Sequence, residues 1–179
     1  MNNNPLFQHL KELCLFLDNA GIEYMLVGGL AVGIWGEPRA TVVIDFMVSF
    51  NKNDFAVLSR KISDSDAFIF IHDKPMNFER VSLLRATLKS NVDLSVDFLF
   101  ADDEFKKDAL SRRQTVNLAD FTVNIPTPED LILLKILSNR EHDLLDAKKV
   151  FEMQKQQLDM EYLQRWAKSL QVRLPYLRK

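Results

Sequence analysis

Residues 23–50 read EYMLVGGLAVGIWGEPRATVVIDFMVSF, and this stretch decides how the rest of the chain is read. Glu23 to Val27 has the apolar density of a short strand, and it runs straight into Gly28-Gly29. Leu30 to Trp35 then reads as a short helix, closed by the loop Gly36 to Ala40. Paired glycines at such a junction let the backbone approach a phosphate, and the helix start offers free N–H groups to an anion; the same turn also serves as plain connection. The next run is a second strand with one carboxylate inside it. Strand side chains alternate, so Thr41, Val43, Asp45 and Met47 share one face, and Val42, Ile44, Phe46 and Val48 share the other. Positions 43 and 45 therefore have the spacing at which two carboxylates jointly hold divalent cations, which in two-metal sites lie about 3.5–4 Å apart. Here position 43 is valine, and the pair is half present.

Working outward, Pro5 to Ala20 places Leu6, Leu10, Leu13 and Leu17 on one helical face, with Gly21 as the stop. Asn53 to Ile62 reads as a helix and Ala67 to His72 as a strand. Ser82–Leu88 and Val92–Phe100 read as a hairpin around Lys89-Ser90-Asn91. In its second arm Val92, Leu94, Val96, Phe98 and Phe100 alternate with Asp93, Ser95 and Asp97. Asp97 could complete a ring of acids with Asp45 if the two strands are neighbours, or it could belong to a solvated edge. Gln114–Leu118 and Phe121–Ile125 suggest a further pair of strands. Thr127-Pro128-Glu129-Asp130 is a helix start, with a threonine cap, proline in the first turn and acids near the positive end. The remainder is helical in three pieces, Pro128–Ser138, Glu141–Gln154 and Met160–Leu170. The expected organisation is an α/β core over 1–126 and a C-terminal helical segment over 127–179 packed on it.

Composition narrows the class. The 179 residues are 47% hydrophobic and 27% charged with a formal net charge of −2, so no global basic field argues for nucleic acid. Cys14 is the only cysteine, which excludes an internal disulfide and fits a reducing compartment; its apolar setting reads as a small buried hydrophobe. MNNNPLFQHL lacks the basic start and apolar core of a signal peptide, and no apolar run approaches the roughly 20 residues of a membrane span. The expectation is a cytoplasmic protein.

The stretch EYMLVGGLAVGIWGEPRATVVIDFMV resembles the opening of the nucleotidyltransferase superfamily, in the branch of the abortive-infection and minimal nucleotidyltransferases. The match lies at Gly28, Gly29, Ala31, Gly36, Arg39, Thr41, Ile44 and Asp45. VDFLF resembles the strand that bears that family's third carboxylate, at Asp97. IPTPEDLILLKILSNREHDLLDAKKVF resembles its C-terminal helical signature, with Lys135, Arg140, Asp143 and Asp146 in comparable places. Three blocks in the family's order span about residues 22 to 152. The resemblance implies a mixed sheet flanked by helices and a catalytic and metal-binding pair at Asp45 and Asp97. It also implies nucleotide contacts from Gly28, Gly29, Arg39, Thr41 and Lys135. Mg²⁺ would align the α-phosphate of an NTP substrate for attack by the hydroxyl of an unknown acceptor, RNA or protein, in a toxin–antitoxin setting.

Val43 departs from that pattern, because valine has no oxygen to offer a metal. Three explanations stay open: catalysis is lost and binding kept, Val43 is a substitution in an active parent, or Asp93 assists Asp97 with a single metal. A further possibility is the antitoxin or scaffold half of a complex, on which the sequence does not decide. Arg39 could grip phosphate or anchor its loop, Lys135 could contact phosphate or stand on the surface, and His142 reads as solvated or capping. Arg165, Lys168, Arg173, Arg178 and Lys179 make a basic end that could touch RNA.

Overall fold

Leu10, Leu13, Cys14 and Leu17 are buried on one side of the first helix, α1 (Pro5–Asn19), in the computed structural model, which describes residues 5–70, 72, 74–78, 80–118 and 120–174. Residues 1–4, Ile71, Arg178 and Lys179 lie outside that set, and so do the expectations that fall on them. Gly21 (φ +62°) ends α1 as expected: the Ile22 N–H donates to Leu17 O at 2.9 Å and the Gly21 N–H to Asp18 O at 3.0 Å.

The expected β–α–β opening forms as β1 (Tyr24–Val27), α2 (Gly28–Trp35) and β2 (Val43–Val48). After a 3₁₀ turn at Lys52–Asp54 come α3 (Phe55–Asp64) and β3 (Phe68–Phe70). A two-residue strand, β4 (Met76–Asn77), precedes the hairpin of β5 (Ser82–Leu88) and β6 (Asn91–Phe100). Helix α4 (Glu104–Ser111), which the hydrophobic pattern did not reveal, leads to the hairpin of β7 (Gln114–Leu118) and β8 (Phe121–Ile125). Three helices close the chain: α5 (Pro128–Ser138), α6 (Glu141–Gln154) and α7 (Met160–Ser169).

The main sheet runs β1-β2-β6-β5-β3, with β4 also on β5, while β7 and β8 form their own ribbon. β2 and β6 are parallel; the other neighbours are antiparallel. Ile44, Phe46, Val48, Val96, Phe98 and Phe100 point into a core shared with α1 and α3. Met25, Val27 and Met47 point to the opposite core, made with α2 and α4 to α7. The alternation expected of β2 thus separates two apolar layers, and Asp45 lies on the face that also carries Met47.

Candidate active site

Register brings the acids together. Asp45 on β2 pairs directly with Asp97 on the parallel β6, and Asp97 pairs in turn with Arg85 on β5. Directly paired residues point to the same face, so the central strands present one polar row, Asp45–Asp97–Arg85. The flanking row on one side is apolar, Met47–Leu99–Leu83, and on the other it is Val43–Ser95–Thr87. β6 is an interior strand and Asp97 is only 4% exposed, so the solvated-edge reading of Asp97 is wrong. It does hold for Asp93, which stands exposed about 13 Å away along the strand by strand rise.

Gly28 has two reasons to be glycine. Its φ is +66°, and a Cβ there would sit 2.0 Å from Asp45 Oδ2. The antiparallel pairing of Val27 with Asp45 causes this, because it lays the carboxylate across the turn that opens α2. Among the described residues no side chain hydrogen-bonds to Asp45. Burial, then the charge of Asp97, pushes its pKa up to about 6 against the pull of Lys135, Arg140 and Arg85.

Asp97, by contrast, is fully engaged. Arg85 donates Nε to Oδ1 at 2.6 Å and Nη2 to Oδ2 at 2.5 Å, a bidentate pair in which the Arg85 side chain remains about one-third exposed. No signal in the sequence singled out Arg85. Counting back from Lys89-Ser90-Asn91 sets Arg85 opposite Ser95; the irregularity between Thr87 and Leu88 shifts the register and brings it to Asp97.

The other expected nucleotide contacts gather around two buried acids of α6. Arg39 reaches Asp146 with Nε at 3.2 Å and Nη2 at 3.0 Å, crossing over Gly29 on the way. Lys135 is 6% exposed, not a surface lysine, and donates to Asp143 at 2.5 Å with Asp146 at 3.1 Å. Ser138 and Arg140 complete the coordination of Asp143 at 2.7 and 2.6 Å. Burial alone would raise the Asp143 pKa; the hydrogen bonds from Lys135 and Ser138 and the charges of Lys135 and Arg140 outweigh it, and the carboxyl is held below its ordinary value. Thr41 Oγ1 donates to Val43 O at 3.0 Å and accepts from Val43 N–H at 3.3 Å, shaping the entry to β2. His142 is exposed on α6. Cys14 is buried, which pushes its thiol up to about 11.

The fit to divalent metal can be judged from the donors. Asp45 offers two oxygens, Val43 none, and both oxygens of Asp97 already accept from a cation. Among the described residues no group of three potential ligands of the His, Cys, Asp or Glu type converges. This donor set does not fit a two-metal site, which needs carboxylates shared between ions.

No protein-family model matches the chain, and no curated protein is similar to it in sequence. Solved structures are similar in fold. ANT(2″)-Ia, an antibiotic-resistance factor studied in solution, superposes with a TM-score of 0.58 at 12% identity, covering 96% of this chain and 93% of that one. An antigenic nucleotidyltransferase-like protein from Paracoccidioides brasiliensis superposes with a TM-score of 0.55 at 17% identity, over 96% and 89% of the two chains. The lincomycin-bound lincosamide antibiotic adenylyltransferase LnuA gives 0.52 at 16% identity, over 86% and 98%. The mixed sheet, its helical layers and these likenesses together show that the chain has a nucleotidyltransferase-like fold.

Proposed function

We propose that this protein binds a nucleoside triphosphate at the corner formed by Gly28, Gly29 and Asp45, and that its nucleotidyl transfer is curtailed relative to other proteins of its fold. The reaction is attack by an acceptor hydroxyl oxygen on the α-phosphorus. A P–O bond to the acceptor forms, pyrophosphate leaves, and the hydroxyl proton passes to a base. Asp45 suits that last role: it accepts no hydrogen bond from another described side chain and lies beside the glycine turn, with a pKa nearer the working pH than an ordinary aspartate. The carboxylate of Asp45 against Gly28 is the observation that carries this reading. Val43 and the locked Asp97 are what curtail it. The acceptor class, RNA or protein, and the abortive-infection branch are proposed on the resemblance of three ordered blocks over about residues 22 to 152.

A second reading has its own support. With no carboxylate at position 43 and Arg85 closing Asp97, the fold would serve as a non-catalytic nucleotide-binding or partner-binding module. Equilibrium binding of each NTP, followed by incubation with α-phosphate-labelled NTP and either total RNA or cellular protein, separates the two. Label transfer that is lost in Asp45→Asn supports the curtailed enzyme. Binding without transfer supports the nucleotide-binding module, and failure to bind any NTP removes both the enzyme and that module, leaving partner binding.

A further inference from the structure

The charge pattern of the polar row carries one step more, and it rests on the nucleotide reading above. A carboxylate site for phosphoryl groups needs positive charge between its acids and the incoming anion. In this chain that charge is already present as a side chain. Arg85 is seated on Asp97 by two hydrogen bonds of 2.6 and 2.5 Å, in the same row as Asp45. Those bonds use two of the five guanidinium N–H groups, leaving three, and the side chain is 34% exposed. No other described residue accepts from those three, and the side chain reaches solvent. Position 43, on the same face as Asp45, is valine and lies in a row with Ser95 and Thr87, where no second carboxylate calls for a cation. Thr87 in turn spends its hydroxyl on Leu94 O at 2.8 Å and Val92 O at 3.0 Å, which leaves that row without a charged donor.

We infer that the Arg85 guanidinium takes the place of a divalent cation at this site and receives an anionic phosphoryl group directly. The absence of a carboxylate at position 43 and the presence of Arg85 are then two halves of one arrangement of charge. One acid fewer lowers the demand for metal, and an arginine on Asp97 meets what demand is left. Arginine suits the task because its planar fork binds a carboxylate on one edge and presents parallel donors on another.

Two measurements test this arrangement. The first is ATP affinity in MgCl₂ against EDTA. We expect less than about a threefold difference, and at least a tenfold loss in Arg85→Gln, the scale of a charge-assisted contact. Because Arg85→Gln leaves a buried carboxylate unpaired, Arg85→Gln/Asp97→Asn is measured beside it. That pair removes both charges together and is expected to melt near the parent while still losing ATP. ATP binding that requires Mg²⁺, or that survives in both variants, overturns the inference.

The second measurement is Mn²⁺ binding by electron paramagnetic resonance, without nucleotide. The parent and Val43→Asp are expected to bind Mn²⁺ weakly, and Val43→Asp/Arg85→Gln to gain at least tenfold over either. Equal gain in Val43→Asp alone would show that Arg85 does not stand in the cation's place. ATP bound in neither buffer overturns the proposed function and the phosphate contact together, whereas the Mn²⁺ series judges the arrangement of charge on its own.

Discussion

Asp45 occupies the space that a side chain on residue 28 would need: its Oδ2, Cγ and Cβ lie 2.0, 2.6 and 2.9 Å from the position of a Gly28 Cβ. Gly28→Ala therefore meets two costs at once, a left-handed backbone and a collision with a packed carboxylate. The expected loss is at least about 2 kcal/mol, or roughly 4–8 °C in Tm for a domain of this size. Gly29→Ala is the control. Its φ is ordinary and its Cβ would first meet the guanidinium end of the Arg39 side chain at 3.2 Å, and the expected loss is below about 1 kcal/mol. Thermal unfolding of the two variants should rank them in that order.

The same carboxylate gives a pH signature. Folding raises the Asp45 pKa to about 6 from an ordinary value near 4, so between those values the folded state binds more protons than the unfolded one. Stability contributed by Asp45 is thus highest in acid and is lost as pH rises through about 6. Asp45→Asn removes this penalty. It should be more stable than the parent by about 1–3 kcal/mol at neutral pH, with the gap closing below about pH 4. Urea titrations at a series of pH values measure it; a constant gap across that range would mean the carboxylate is not the cause.

Much of this site was readable because it is local. Gly28, Gly29 and Asp45 lie within one β–α–β unit whose alternation puts Asp45 on a known face, and the run 82–100 declares its own hairpin. Asp97 was readable as polar but not as buried, since burial depends on β6 lying between β2 and β5, a long-range fact. Arg85 and Lys135 were misjudged or overlooked for a related reason. A single charge in a strand or helix looks solvated until its partner arrives from another element, here Asp97 for one and Asp143 for the other. Helix α4 escaped because eight residues with charged Lys106 and Lys107 have a weak apolar stripe. Its cues were the Asp103 cap, which accepts from the Lys106 N–H at 2.8 Å, and the burial-bearing pair Phe105 and Ala109 four apart.

Lys135 should matter to stability more than to ligand binding. It neutralises Asp143 and Asp146, both only 3% exposed, from inside the α5–α6 contact. Lys135→Met strips the central cation from two buried acids, and the expected cost is about 3–5 kcal/mol. The lowered pKa of Asp143 sets the sign with pH. Its paired form contributes stability above the ordinary carboxylate range, and that stability is lost as pH falls through the folded value. The deficit of Lys135→Met should therefore shrink on acidification. An equal deficit in acid and at neutrality would place the cost in packing.

The last helix tests a different polar cluster. Tyr162 Oη lies 2.5 Å from Oδ1 of Asp130, which is fully buried, and Thr127 and Arg112 hold the other oxygen at 2.8 and 3.3 Å. Burial raises the Asp130 pKa, and the hydrogen bonds from Tyr162 and Thr127 only partly offset it. The Arg112 guanidinium stacks 3.6 Å from the Tyr162 ring centroid, so α7 is fastened to α4 and α5 by a hydroxyl and a ring together. Tyr162→Phe keeps the ring and deletes the hydroxyl, leaving Asp130 one donor short at an expected cost of about 1–3 kcal/mol. Because the loss is centred on α7, opening there should become easier than global unfolding requires. Limited trypsinolysis at Arg165 and Lys168 reads this directly. Cleavage should accelerate in Tyr162→Phe while the rest of the chain resists, and unchanged cleavage would show that ring packing alone holds the helix.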